Sequence, residues 1–408
     1  MSTHIHTRRY DLDWLRILAF GLLIFYHIGM FYVSWGWHVK SVHANPAPEP
    51  LMKLLNPWRL SLLFFISGIA LRFALDKANL AQFTWQRSLR LFIPIVFGIY
   101  VIVMPQAWLQ LLESGEIDMG WRQFYPLYFK GDMHTYSVLL PTWNHLWYVV
   151  YLLVYTWILI PLARPIASFM ENAGERITKA VFGGKLGALW VLILPTAPFL
   201  INTFYLAPLY PSTHALAADW ANHQLYFSII LFAMLIAKDK WFWGAVARAF
   251  TPALCLTSLI IITATLVWTL DMKHSPVFTY NVIEFFEEKA RKSVYAWFAI
   301  IAILGAAQRW LNRPSRVLAY MTEAIFPWYI LHQTLIIMAG YWLTRQSLSA
   351  WPEFLLVTCA TFAGCALIHE FLIRRWWPIR PLFGLKLKPA RFPRPSHKES
   401  APQNTSTV

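Results

Sequence analysis

The chain has 408 residues, 58% of them apolar and only 13% Asp, Glu, Lys or Arg. A soluble chain averages about 25% charged residues, so this one has too few to cover a water-facing surface. Its apolar runs recur at about the 20 residues that cross a bilayer, which excludes a soluble protein with a greasy core. The net charge of +15 does not point to nucleic acid, because the basic residues lie in short connectors and a C-terminal tail, where membrane topology places them.

Aromatic residues reach 17%, as suits rings anchoring helices at both membrane interfaces. Cys255, Cys359 and Cys365 all fall inside apolar runs, without zinc-ligand spacing, and read as buried thiols with no disulfide. No small-residue cleavage site follows the first apolar run, so the first helix itself is expected to target the chain.

The sequence predicts an all-α polytopic transmembrane helical bundle of about ten spans. They fall near residues 12–34, 58–76, 89–110, 144–163, 186–203, 222–238, 250–270, 293–310, 321–343 and 353–373. Pro195, Pro198 and Pro252 interrupt or border the fifth to seventh. No internal repeat is evident, which argues against transporters built from inverted repeats. With ten spans, 23 Lys and Arg residues fall on the side of the termini and 9 on the other. That bias predicts both termini in the cytoplasm. Residues 1–376 then form the integral-membrane domain and 377–408 a basic, Pro-rich cytoplasmic tail able to touch anionic headgroups. The outer loop 113–132 is acidic and aromatic, as carbohydrate-facing surfaces are, although an ordinary solvated loop has the same look. Residues 281–292 read as an interfacial amphipathic helix.

An ionisable residue inside a span costs about 2.5–3.5 kcal/mol and marks function by default. The first span carries Asp13, Arg16 and His27. Arg16 and His27 are eleven residues apart, about 20° beyond three full turns, so both project from one face about 16 Å apart along the axis. The plain alternative is a snorkelling arginine and a histidine tied to a neighbouring helix. Arg87 and Arg90 enter the third span from the cytoplasmic side one turn apart. With Arg16 at the same level they form a candidate cationic mouth for a phosphorylated ligand. Ser67 and Gly68 permit close helix approach. His145 and His332 each fit either ligand contact or interhelical hydrogen bonding. His369 and Glu370 read as parts of a structural ion pair. The remaining histidines, His38 and His214 among them, lie in loops, ends or tails and carry no assignment.

Five stretches, residues 12–41, 63–68, 87–94, 144–153 and 326–336, resemble the membrane-bound acyltransferase-3 family. The likeness is strongest to its branch of glucan-succinylating, glucan biosynthesis C-like proteins of bacterial envelopes. The most specific motif is Arg-x10-His, here Arg16 to His27, followed by Arg-x-x-Arg, here Arg87 and Arg90. The resemblance implies transfer of an acetyl or succinyl group from cytoplasmic acyl-CoA to a hydroxyl of an extracytoplasmic glycan or other envelope molecule. It implies a bacterial inner-membrane location, a catalytic His27, and donor binding by Arg16, Arg87 and Arg90. Many relatives carry Trp-Ser-Leu-x-x-Glu in the fourth span. This chain reads WYVVY there, with Tyr148 and Tyr151, so no role of that glutamate carries over.

On this reading the nucleotide of coenzyme A stays at the arginine mouth while the pantetheine arm spans the way to His27, O-acetylation and succinylation both remaining open. His27 acts as general base or forms an acyl-imidazole. Asp13, too far from His27 within one helix, pairs with Arg16, and the partner orienting the imidazole comes from another span. A succinyl donor calls for an extra cation near His27, for which Arg59 is the candidate. The expected partners are acyl-CoA, membrane lipid and an envelope acceptor, with no nucleic acid and no metal. Two rival classes are a transporter or flippase for an envelope precursor and a non-catalytic member of a glycan-assembly complex.

Overall fold

A computed structural model describes residues 8–75, 79–132, 134–269 and 293–387. Helices dominate, with no strand among the described residues beyond a lone bridge between Asp132 and Leu140. In chain order they are α1 (Tyr10–Tyr32), α2 (Glu49–Leu75), α3 (Leu80–Glu113), α4 (Trp121–Lys130), α5 (Asn144–Phe182) and α6 (Gly187–Leu209). There follow α7 (Trp220–Ile236), α8 (Lys240–Thr269), α9 (Ala296–Trp310), α10 (Arg316–Leu343) and α11 (Ala350–Ile373). Among the described residues, seven of these (α1, α2, α3, α5, α6, α8 and α11) are long and apolar enough to cross a membrane. Helices α7, α9 and α10 occupy the sixth, eighth and ninth predicted stretches without joining that set. Residues 281–292, read as an interfacial helix, lie outside the described residues.

Local chemistry sets the helix ends. Asn79 accepts from the amides of Ala81 and Gln82 to open α3, and Ser315 accepts from Val317 to open α10. The Nζ of Lys40 donates to the carbonyls of Met30 and Val33, satisfying the free end of α1. Pro94 lies inside α3 and a π-helical turn follows at Gly98–Val103, as expected where a proline removes a ladder donor.

Packing centres on α1, which lies against both α2 and α10; α2 packs on α7, α8 on α9 and α10 on α11. A methyl group on Gly68 would overlap the Ile230 carbonyl and the Ala233 side chain, so only glycine lets α2 approach α7 this closely. The outward faces remain apolar, as at Leu259, Ile262 and Leu355, which suits a lipid surround. This explains a departure from the sequence reading of the cysteines. Cys365 is buried, but Cys255 and Cys359 are exposed, because in a bilayer the outer face takes apolar side chains as readily as the core.

The loop at 113–132 also differs from an unstructured solvated segment. Its aromatic residues form α4, with Phe124 and Tyr128 turned into a small core and Trp121 and Phe129 outward. The first part of the tail is docked. Arg380 and Phe383 are buried, Arg380 Nη1 lies 3.0 Å from Glu323, and Phe383 packs on Phe97. Glu370 forms its ion pair with Arg374 at 3.0 Å, while His369 is buried with neither ring nitrogen hydrogen-bonded.

Candidate active site

Two histidines meet where α1 crosses α10. The Nδ1 of His27 lies 2.7 Å from the Nε2 of His332, with the rings within 4° of parallel. The Nδ1 of His332 lies 2.6 Å from the Tyr329 carbonyl, which only accepts, so this nitrogen is the donor. In neutral His332, Nε2 is then the acceptor, and His27 donates to it through Nδ1–H. The tautomer of His27 follows: Nε2 holds the lone pair and is the basic nitrogen.

His27 lines a cavity of about 180 Å³ together with Tyr26, Arg59, His145, Tyr148 and His214. Arg59 stands with its guanidinium carbon 3.2 Å from the Tyr26 ring centroid, and its Nη2 donates to Asn56 at 3.2 Å. The Nε and Nη1 of Arg59 are buried without a partner. The arrangement places a basic nitrogen and a cation around one half-open pocket, which suits proton removal from a hydroxyl beside developing negative charge.

A polar network backs this pair. His145, in the turn that opens α5, places Nε2 3.1 Å from the Ile330 carbonyl, and Tyr329 donates its hydroxyl to the His145 carbonyl at 2.5 Å. Gln106 donates to Thr334 at 2.7 Å and accepts from Asn144 and Gln333, each at 3.0 Å. Gln333 also lies 2.9 Å from the Nε2 of His38, whose Nδ1 lies 2.5 Å from Gln110 Oε1. In the loop between α1 and α2, His38 is held below its usual value by burial, with the Gln110 bond acting the other way. Buried polar groups that satisfy each other in this way fix one geometry, because a half-paired alternative is costly.

The arginines gather at the other end of the same face of α1. Arg16, Arg87 and Arg90 lie close enough for their charges to repel. The Nε of Arg87 is buried without a partner, and Arg90 Nε donates to the Gly384 carbonyl at 2.6 Å. Asp13 pairs with Arg16 at 3.5 Å, as their three-residue spacing predicts, and takes a second, closer partner in the exposed Arg8 at 2.8 Å. Three buried rings, Phe20 and the cavity-lining Tyr148 and Tyr329, pack together with centroids 5.1–6.0 Å apart. The Tyr148 hydroxyl meets Ser67 Oγ at 2.7 Å. Tyr148 both lines the cavity and feels the charge of Arg16 and Arg87.

The structure thus brings His27, His332 and His145 together, gathers the three arginines, and ties Ser67 to the site through Tyr148. Asp13 stays apart from the cavity. Sequence reasoning passed over His38, His214, Gln106 and Gln333. The two glutamines had a signal, since an amide inside an apolar helix needs a partner; the loop histidines had none. Among the described residues no three His, Cys, Asp or Glu side chains are placed to share a metal ion.

Comparison with known proteins covers nearly the same stretch. A family profile described as "Acyltransferase domain" matches residues 9–370. Glucans biosynthesis protein C of Escherichia coli O6:K15:H31 (strain 536 / UPEC) is 22% identical over 381 residues, covering 90% of this chain and 92% of the relative. The protein of the same name from Escherichia coli (strain K12) gives the same identity and coverage. No solved structure matches the chain.

Proposed function

The chain belongs to the acyltransferase family whose domain spans its residues 9–370, and we propose that it moves a short acyl group from cytoplasmic acyl-CoA to a hydroxyl of an extracytoplasmic glycan. The observation that carries this reading is the hydrogen bond from His27 to His332, which leaves His27 Nε2 basic beside a half-open cavity. The acceptor hydroxyl enters that cavity and gives its proton to Nε2 while its oxygen attacks the thioester carbonyl carbon. Collapse of the tetrahedral intermediate breaks the carbon–sulfur bond. The thiolate leaves and takes the proton back from Nε2, so that ester and CoA are the products and His27 is restored. An acyl-imidazole on His27 is the less favoured route, because direct transfer needs only one attack at the carbonyl.

The nucleotide end of the donor is held by Arg16, Arg87 and Arg90, since a polyanion has no place in hydrocarbon. Its pantetheine arm passes Phe20, Tyr148 and Tyr329, which must swing aside to admit the thioester. The protein is proposed to lie in the bacterial inner membrane with ten spans and both termini in the cytoplasm, following its Lys and Arg distribution. The name of the relatives supports a glucan as the acceptor class.

The test supplies purified protein with labelled acetyl-CoA or succinyl-CoA and crude envelope glycan, then measures free CoA and label on the glycan. Transfer that disappears in His27→Ala while expression and insertion persist is the expected result. Full activity in that variant, or solute flux without CoA release, would overturn the reading.

A further inference from the structure

The wall of the His27 cavity includes three rings to which the reaction as described gives no part: Trp37, Trp147 and His214. Trp37 follows the end of α1, Trp147 stands near the start of α5, and His214 lies in the connector between α6 and α7. The path of the chain fixes which end of the bundle they share. Arg16 is near the start of α1 and Arg87 and Arg90 are near the start of α3, whereas α5 opens beside Gln106, late in α3, which accepts from Asn144. The three rings therefore stand at the end away from the arginines. His214 is also exposed, so it marks where the cavity opens.

The connector holds His214 there against a local preference. Its φ is +54°, the left-handed region that a β-carbon disfavours. Such a conformation persists where the surroundings over-determine it, and here they do. The amide of Thr213 donates to Asp219 at 3.0 Å, and the His214 carbonyl accepts from Trp143 Nε1 at 3.1 Å. Asp219 is fully buried and also accepts from Tyr151 at 2.6 Å and from Asn222 at 2.8 Å. The imidazole stacks on the Trp147 indole, with centroids 4.4 Å apart and planes 24° from parallel. Its Nε2 lies 3.3 Å from Ser212 Oγ, and its Nδ1 has no hydrogen bond among the described residues. A connector that only closed the bundle would take glycine at this position without strain. What histidine adds is a ring with a donor and an acceptor.

We infer that His214 is an acceptor-binding residue: its imidazole hydrogen-bonds one hydroxyl of the entering acceptor and so brings a second hydroxyl to His27. The charged end of the donor is held at the arginines, so the molecule that meets His214 is the acceptor. Rings on the wall with a few placed polar groups are the usual means of orienting a small polar ligand. The inference rests on the acyl-transfer reading and adds to it the residue that holds the acceptor, with its counterpart role at the opposite end from the arginines.

The experiment separates the ring nitrogens of His214 from its stack. Initial rates of CoA release are measured for the full-length protein in lipid nanodiscs, first against crude envelope glycan and then against acyl-CoA. His214→Phe keeps a ring over Trp147 and removes both nitrogens. It should raise the KM for glycan about threefold to tenfold, the range for a neutral hydrogen bond, with the KM for acyl-CoA unchanged. His214→Asn gives up the stack but accepts the left-handed backbone and keeps a donor and an acceptor. It should lie between His214→Phe and wild type. The reverse order, with His214→Phe like wild type and His214→Asn impaired, would make His214 a packing residue and overturn the inference. A rise in the KM for acyl-CoA in place of that for glycan would overturn it as well. Release of CoA by wild type from neither acetyl-CoA nor succinyl-CoA would instead bring down the acyl-transfer reading itself.

Discussion

His27 and His332 meet at 2.7 Å although 305 residues separate them in the chain. The contact does more than join α1 to α10. Because the far nitrogen of His332 is committed to the Tyr329 carbonyl, the pair has one neutral arrangement, with the basic nitrogen on His27. Under the proposed mechanism His332 is therefore a positioning residue that sets which nitrogen of His27 takes the proton.

Replacing His332 should lower kcat with little change in the KM for acyl-CoA. His332→Phe removes the acceptor for the His27 Nδ1 proton and should cost about a hundredfold, the lower bound for losing an oriented general base. His332→Gln, able to accept through its amide oxygen, should retain more. A rise in KM with kcat unchanged in steady-state assays would place His332 in binding instead.

Arg87 and Arg90 should separate in binding and stability measurements. Arg87 has a free buried donor, so Arg87→Gln should weaken acyl-CoA binding about tenfold or more. Its thermal stability should stay near wild type. Arg90 also holds the Gly384 carbonyl of the docked tail. Arg90→Gln should weaken donor binding and in addition lower stability by about 1 kcal/mol. Unchanged donor affinity when both are replaced would remove the cationic mouth.

His38 offers a pH test. Burial holds its imidazole below the ordinary 6.5. Between that depressed value and 6.5 the unfolded chain binds more protons than the folded one, so stability rises with pH across the interval. The contribution is complete above 6.5 and lost as the pH falls below it. The thermal midpoint of wild type should therefore drop more steeply from about pH 7 to about pH 5 than that of His38→Gln. Parallel curves would show that the His38 network does not resist protonation.

Much of the architecture was legible in the sequence because bilayer thickness fixes the length of an apolar helix. Each predicted stretch coincides with a helical segment, even where the segment falls short of the length and apolarity needed to cross a membrane. The one-face relation of Arg16 and His27 was equally legible, since an eleven-residue step within one helix is local geometry. The pairing of Asp13 with Arg16 was legible for the same reason, whereas its second partner, Arg8, lies just before α1 begins.

What the sequence determined by itself is a bundle of apolar helices with costly charges placed along α1. The tertiary structure decided everything that depends on which helix lies beside which. It chose His332 rather than His145 as the direct partner of His27, and drew the loop residue His38 into the polar network. It also set the unpaired end of Arg59 on the wall of the His27 cavity. The physical reason is that helix period and hydropathy act within about one turn of the chain. The partners of a buried polar group are set by packing between segments far apart in sequence.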